Sequence, residues 1–299
     1  MTMKIKNFAV LILTHGRPDH VVTYRTLRKQ GYTGDIYIVI DNEDDTADRY
    51  RDKFGDQVIV FDKEHIASTH DEAGRFQDRR SVFYARNASF QIARDLGLKY
   101  FLQLDDDYRS FRYMFTGGMQ AWSTQKRIKN LDRTFDIILE FYAGVPAATV
   151  AMAQSGDLIG GIRGSNLDRL WLKRKAMNTF FCSTARPFQF VGRINEDVNT
   201  YVLLGNRGEL FFTFFSIAMF QERTQQSGGG MTELYLNTGT YVKSFYTVMY
   251  APSCVKVGEM GVSHRRIHHV IDWPTAVPCI LREEYRKSGS LATERNGDG

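Results

Sequence analysis

The chain has little cysteine, no long apolar run and no strong charge of one sign. Its three cysteines, Cys182, Cys254 and Cys279, are scattered and odd in number, and they form no zinc or redox pattern. No segment approaches the ~20 unbroken apolar residues of a membrane-spanning helix. The opening Met1-Thr2-Met3-Lys4-Ile5-Lys6 leads into an apolar run without a cleavage pattern, so a cytoplasmic location is expected. A formal charge of +5 permits a polyanionic partner without requiring one. The glycine-rich loop ending in Lys-Ser/Thr is missing, as is the dinucleotide-binding glycine fingerprint. No helix-turn-helix or zinc finger is present for reading DNA. What remains is an ordinary globular balance, 43% apolar and 24% charged, with 13% aromatic residues. The 299 residues suffice for one large core or two smaller ones.

The stretch Lys99-Tyr100-Phe101-Leu102-Gln103-Leu104-Asp105-Asp106-Asp107-Tyr108 organises the chain. It begins as a short apolar run, read as a buried strand, and ends in three carboxylates. Like charges so close raise one another's pKa, and a divalent cation would compensate them. On a continuing strand Asp105 and Asp107 leave the same face, while Asp106 points the other way or caps the next turn. Hard oxygen ligands suit Mg²⁺ or Mn²⁺, and such ions usually bring bound phosphates. The bland alternative is a polar strand exit into a solvated loop.

Upstream, Phe8-Ala9-Val10-Leu11-Ile12-Leu13 is a continuous apolar run with both faces buried, as in a parallel sheet. It ends in Thr14-His15-Gly16-Arg17-Pro18. Gly16 lets backbone approach a ligand, Arg17 suits a phosphate or a nucleotide edge, and Pro18 can open a helix over residues 19–30. The second strand, Ile36-Tyr37-Ile38-Val39-Ile40, exits in Asp41, which can accept from ribose hydroxyls or a base N–H; Asp44 and Asp45 can cap a helix beginning near Thr46. Val58-Ile59-Val60-Phe61 is a third strand. Residues 62–78 read as a polar, irregular loop at the ligand edge, a candidate lid carrying His65 and His70 as surface histidines. Residues 81–96 show the apolar stripe of a helix, on which Arg86 is either solvated or offered to a diphosphate. This alternation, with polar residues at three strand exits, is that of an α/β nucleotide-binding half.

Beyond Asp107 the pattern is mixed. Strands are expected over 111–115, 147–152 and 178–184, a helix over 131–141, a glycine-rich segment over 157–164, and an aromatic strand over 210–220 suited to a second sheet or subdomain. Cys182 reads as a packed core residue. Glu196 and Asp197 precede a helix over 198–204. They either decorate its N-terminus or include a group that accepts a proton from a nucleophile. Residues 168–175 are a solvated helix face or a phosphate-contacting edge, and 264–269 a basic surface turn or a phosphate contact; a histidine of the latter group can complete a metal shell with Asp107.

Thr14-His15-Gly16-Arg17-Pro18, Asp41, Ala85-Arg86-Asn87-Ala88, Leu104-Asp105-Asp106-Asp107, Glu196-Asp197 and His264 together resemble a GT-A-type glycosyltransferase, from residue 8 to about 270. The resemblance implies an α/β, GT-A-like fold with a mixed central sheet: residues 1–108 as a Rossmann-like nucleotide-sugar-binding half, 109–275 as an acceptor-binding and catalytic half, and 276–299 as a tail. It places Thr14, His15, Arg17, Asp41, Arg86, Asn87, Asp105 and Asp106 at a nucleoside diphosphate sugar, UDP-linked. It places Mn²⁺ or Mg²⁺ on Asp105, Asp107 and His264. Asp197, or Glu196, looks like the base of an inverting transfer, with a retaining outcome as the alternative. The His-Gly-Arg-Pro opening, the Gln-Leu-Asp-Asp-Asp-Tyr segment and the basic, histidine-rich end are similar to glycosyltransferases that modify hydroxymethylated pyrimidines in phage or kinetoplastid DNA. That similarity implies modified DNA as acceptor, with its target base flipped out, and the host cytoplasm for a phage-encoded enzyme. Competing readings are a glycan- or small-molecule-directed glycosyltransferase, a nucleotidyltransferase, and a non-enzymatic nucleic-acid-binding module.

Overall fold

The structure is a computed structural model and describes residues 7–73, 79, 81–117, 120–154, 178–221, 242–260 and 266–276. Four apolar runs build one flank of a sheet: β1 (Phe8–Leu13), β2 (Asp35–Asp41), β3 (Val58–Phe61) and β4 (Tyr100–Asp105). Between them lie α1 (Val22–Lys29), α2 (Ala47–Phe54), α3 (Lys63–Thr69) and α4 (Phe83–Asp95). There follow β5 (Tyr108–Gly117), β6 (Gln120–Arg127), α5 (Leu131–Gly144), β7 (Ala147–Gln154), β8 (Thr179–Ser183), α6 (Glu196–Gly205) and β9 (Leu210–Gln221). The chain continues with α7 (Val242–Tyr250), an antiparallel pair β10 (Val255–Met260) and β11 (Arg266–Ile271), and the short α8 (Trp273–Ala276).

The strands β1 to β9 form one nine-stranded sheet in the order β3-β2-β1-β4-β8-β7-β9-β5-β6. The β3-β2-β1-β4 flank is parallel. β8 runs antiparallel to β4 and β7, and β7 pairs parallel with β9. Alternation sends Val10, Ile12, Ile38, Leu102 and Leu104 to one face, against Leu27 of α1, Tyr50 of α2 and Phe135 and Ile138 of α5. Leu11, Leu13, Val39 and Phe101 go to the other, against Ile66 of α3, Phe83 and Ala88 of α4 and Val198 and Tyr201 of α6. Helices therefore cover both faces, which is why these strands read as unbroken apolar runs. The expected α/β class with a mixed central sheet is what the topology shows. β1 lies between β2 and β4, so consecutive crossovers leave it in opposite directions. The crevice at their carboxyl ends is the position where open α/β sheets take ligands.

Two expectations change. The aromatic run near 210–220 belongs to no second sheet; β9 inserts between β7 and β5, its Leu210 in register with Ala147. Residues 62–78 do not begin as an irregular loop. Asp62 caps α3 by accepting from His65 N at 3.0 Å, and Ile66 enters the core. Tyr108, where the first half was expected to end, is the first residue of β5 and lies in the same nine-stranded sheet as β4. Next to the turn between β4 and β5, the buried Gln30 donates to the carbonyls of Phe111 (2.8 Å) and Ile128 (2.7 Å) and accepts from Phe111 N (2.9 Å). It thereby fixes the start of β5 against the end of α1.

Candidate active site

The exits of β1, β2 and β4 meet at the crevice. Thr14 donates its hydroxyl proton to Asp106 Oδ2 at 2.6 Å and lies 2.8 Å from the Tyr50 hydroxyl. Tyr50 also accepts from Arg17 N at 2.9 Å, and Arg17 Nη2 stands 3.1 Å from Asp106 Oδ1. Asp106 is thus turned back beneath β1 and is almost fully buried, which raises its pKa in spite of the Arg17 charge. It ties the ends of β1 and β4 together, and both of its carboxylate oxygens are engaged by Thr14 and Arg17. Gly16, at φ +69°, turns the loop so that its N–H donates to Asp44 Oδ2 at 2.8 Å, while Asp44 Oδ1 accepts from Thr46.

His15 and Asp41 are paired directly, Nδ1 to Oδ2 at 2.8 Å, and Lys63 Nζ approaches Asp41 Oδ1 at 3.1 Å. Burial would raise the Asp41 pKa, but the His15 hydrogen bond and the Lys63 charge outweigh it and hold the carboxyl below its ordinary range. The same hydrogen bond holds His15 above the ordinary histidine value. Lys63 and Tyr50 were not singled out in the sequence. Tyr50 carries no motif, and the only signal for Lys63 was its place just after Asp62, a helix-capping residue at the third strand exit.

Arg86 decides the geometry of the other side. It is 1% exposed, so it is neither solvated nor open to a direct diphosphate contact as the chain stands. Its Nη2 donates to Asp105 Oδ1 and its Nε to Glu196 Oε1, both at 3.0 Å, and the guanidinium lies over the Phe180 ring at 4.9 Å. Burial opposes its charge, and the two carboxylates more than offset that. One buried cation therefore joins the last residue of β4 to the first residue of α6. Asn87 does not face the crevice with its amide: it donates to Phe190 O (3.1 Å) and accepts from Phe190 N (2.9 Å), clamping the loop that leads to α6.

Of the paired acids, Glu196 is buried on Arg86, and burial with the adjoining Asp197 charge pushes its carboxyl above the usual range. Asp197 is half-buried and accepts only from the neighbouring Val198 N at 2.8 Å among the described contacts. Of the two acids, Asp197 is the less buried. Asp105 keeps 28% of its side chain exposed. Burial, together with the charges of Asp105 and Asp106, pushes the Asp107 carboxyl up to about 7. That crowding fits a divalent cation on Asp105 and Asp107, although among the described residues no three ligating side chains stand together. A Mg²⁺-type site needs only one or two carboxylates beside substrate phosphates. His264, implied as a further ligand, lies outside the described residues, as do residues 157–164 and 168–175.

The sequence pattern of the TET-associated glycosyltransferases matches residues 8–230. The chain belongs to that family. Comparison with curated proteins returns no match. Among solved structures, the enzyme is similar to glucosyl-3-phosphoglycerate synthase from Mycobacterium tuberculosis, crystallised with Mg²⁺ and UDP (TM-score 0.44, 10% identity, covering 88% of this chain and 87% of that one). A second structure of that synthase, with Mn²⁺, UDP-glucose and glycerol 3-phosphate, gives a TM-score of 0.41 at 12% identity, covering 87% and 85%. S. aureus TarS gives 0.43 at 11% identity, with 72% of this chain and 36% of TarS covered. The enzyme is a glycosyltransferase, and among its described residues no helix is long and apolar enough to cross a membrane.

Proposed function

We propose that the enzyme moves a sugar from a nucleoside diphosphate sugar, UDP-linked, to a hydroxyl of 5-hydroxymethylpyrimidine in DNA, with inversion at the anomeric carbon. The observation that carries the chemistry is the Arg86 bridge, which links Asp105 at the donor-side strand exit to the α6 turn holding Asp197. Asp197 accepts the proton of the acceptor hydroxyl. The freed oxygen forms the new bond to the anomeric carbon, and the bond from that carbon to the diphosphate oxygen breaks, releasing a nucleoside diphosphate. Asp105 and Asp107 would hold Mn²⁺ or Mg²⁺, which when bound supplies positive charge to the leaving diphosphate. Arg17, with 32% of its side chain exposed, adds a guanidinium at the β1 exit. The DNA acceptor is supported by the sequence similarity to enzymes of hydroxymethylated pyrimidines and by the basic character of the chain.

The test is nucleoside diphosphate release from a panel of nucleotide sugars with Mn²⁺, using hydroxymethylated DNA, unmodified DNA, simple glycans or no acceptor. Release that requires hydroxymethylated DNA is expected. Release with a glycan alone discards the DNA acceptor, and pyrophosphate release from a nucleoside triphosphate would make the enzyme a nucleotidyltransferase.

A further inference from the structure

The pairing of His15 with Asp41 changes which group a donor nucleotide meets. Asp41 is only 5% exposed. Its Oδ1 already accepts from Lys63 Nζ and from Glu43 N, each at 3.1 Å, and its Oδ2 accepts from His15. With three donors on it and 7% of its side chain exposed, the carboxylate is nearly closed to a ligand. His15, by contrast, leaves 43% of its side chain exposed at the crevice. An ionised carboxylate can only accept, so the His15 proton sits on Nδ1. The neutral ring then offers Nε2 outward as a bare acceptor. Lys63 secures this arrangement from within. Its side chain is 5% exposed, its ammonium lies 5.7 Å from the Tyr84 ring, and Tyr84 is itself anchored by donating to Glu72 Oε2 at 2.7 Å.

We infer that His15 Nε2, rather than Asp41, reads the donor base by accepting a ring N–H, and that Lys63 is a positioning residue acting through Asp41. The inference rests on the proposed nucleoside diphosphate donor and names its chemistry. Uracil, thymine and guanine carry a ring N–H; cytosine and adenine present a ring nitrogen that only accepts, which sets two lone pairs against each other. Protonation turns Nε2 into a donor, which opposes a ring N–H and suits a bare ring nitrogen, and so reverses the preference. The charged groups facing His15 are Asp41 from β2, Asp44 from the turn after it, and Lys63 from α3.

The experiment is calorimetric titration of UDP and CDP, with Mn²⁺, into the full chain and into His15→Phe and Lys63→Met. The wild type is expected to bind UDP roughly 10-fold or more tightly than CDP at about pH 8.5, since a site built to pair an N–H rejects an analogue lacking it. That ratio should fall to one or below at about pH 5.5, where the imidazole is charged. His15→Phe should bring the ratio near one at both pH values, because it loses the hydrogen bond to uracil and the opposition to cytosine together. Lys63→Met should reduce it, and ¹⁵N spectra should show His15 leaving the pure Nδ1–H tautomer, a change that loss of packing alone does not cause. Equal affinities at the higher pH, or the wild-type ratio retained in His15→Phe, overturn the inference and leave the nucleotide donor standing. Failure of both nucleotides to bind overturns the inference and the donor reading together.

Discussion

Two acid-rich regions face one crevice and are neutralised in opposite ways. Around the exits of β1 and β2 three buried acids are matched: Asp41 by Lys63 and His15, Asp44 by Gly16 N and Thr46, and Asp106, which reaches over from the end of β4, by Thr14 and Arg17. At the end of β4 and the start of α6, Asp105 and Glu196 share one buried guanidinium. Asp107 and Asp197 form no ion pair there among the described residues. The first region is a finished surface that needs no added cation. The second is short of positive charge, and that shortage is the physical reason to expect a metal ion there.

The largest break in this contrast should come from Arg86→Met. Removing the one cation leaves Glu196 buried and unpaired and Asp105, partly exposed, without its partner, at a cost of about 3–5 kcal/mol by denaturant unfolding. Adding Glu196→Gln should return part of it. Next, Asp197→Asn should lower transfer by about 10²–10⁴-fold, the range of general-base catalysis, with nucleotide binding unchanged in titration. Equal loss on Glu196→Gln without loss of stability would move the base to Glu196. In the matched region, Asp106→Asn should act on stability, by about 1–3 kcal/mol, because Thr14 and Arg17 lose a buried charged partner. The smallest effect concerns His15. Its folded pKa is raised above 6.5, so the charge of the protonated ring beside Asp41 adds stability that is full below 6.5 and is lost as pH rises through the folded value, the Nδ1–H hydrogen bond remaining. His15→Asn should therefore cost a fraction of a kcal/mol near pH 6, discounted for exposure, and nothing well above the folded pKa.

The parallel flank was legible because each of its strands is an apolar run cut off by polar residues, and burial on both faces leaves that mark. β9 carries the same mark, but nothing in Leu210-Phe211-Phe212 says which strands it joins, hence the expectation of a second sheet. α3 was hidden because only Ile66 among its residues fully enters the core beside the aliphatic part of Lys63. At the site, the residue types were readable and their partners were not. Three consecutive aspartates announce crowding, yet only the fold turns Asp106 toward Thr14 and Asp105 toward Arg86. The burial of Arg86 and Lys63 depends on carboxylates 110 and 22 residues away, which no local pattern encodes.

The most direct measurement is the affinity of UDP with and without Mn²⁺, in the wild type and in Asp107→Asn. The charge-shortage account predicts that Mn²⁺ tightens binding at least ~10-fold in the wild type, as one well-placed charge contact is worth, and that Asp107→Asn loses this gain while its metal-free affinity and its fold persist. Metal-independent binding in the wild type, or the full Mn²⁺ gain retained in Asp107→Asn, would contradict it.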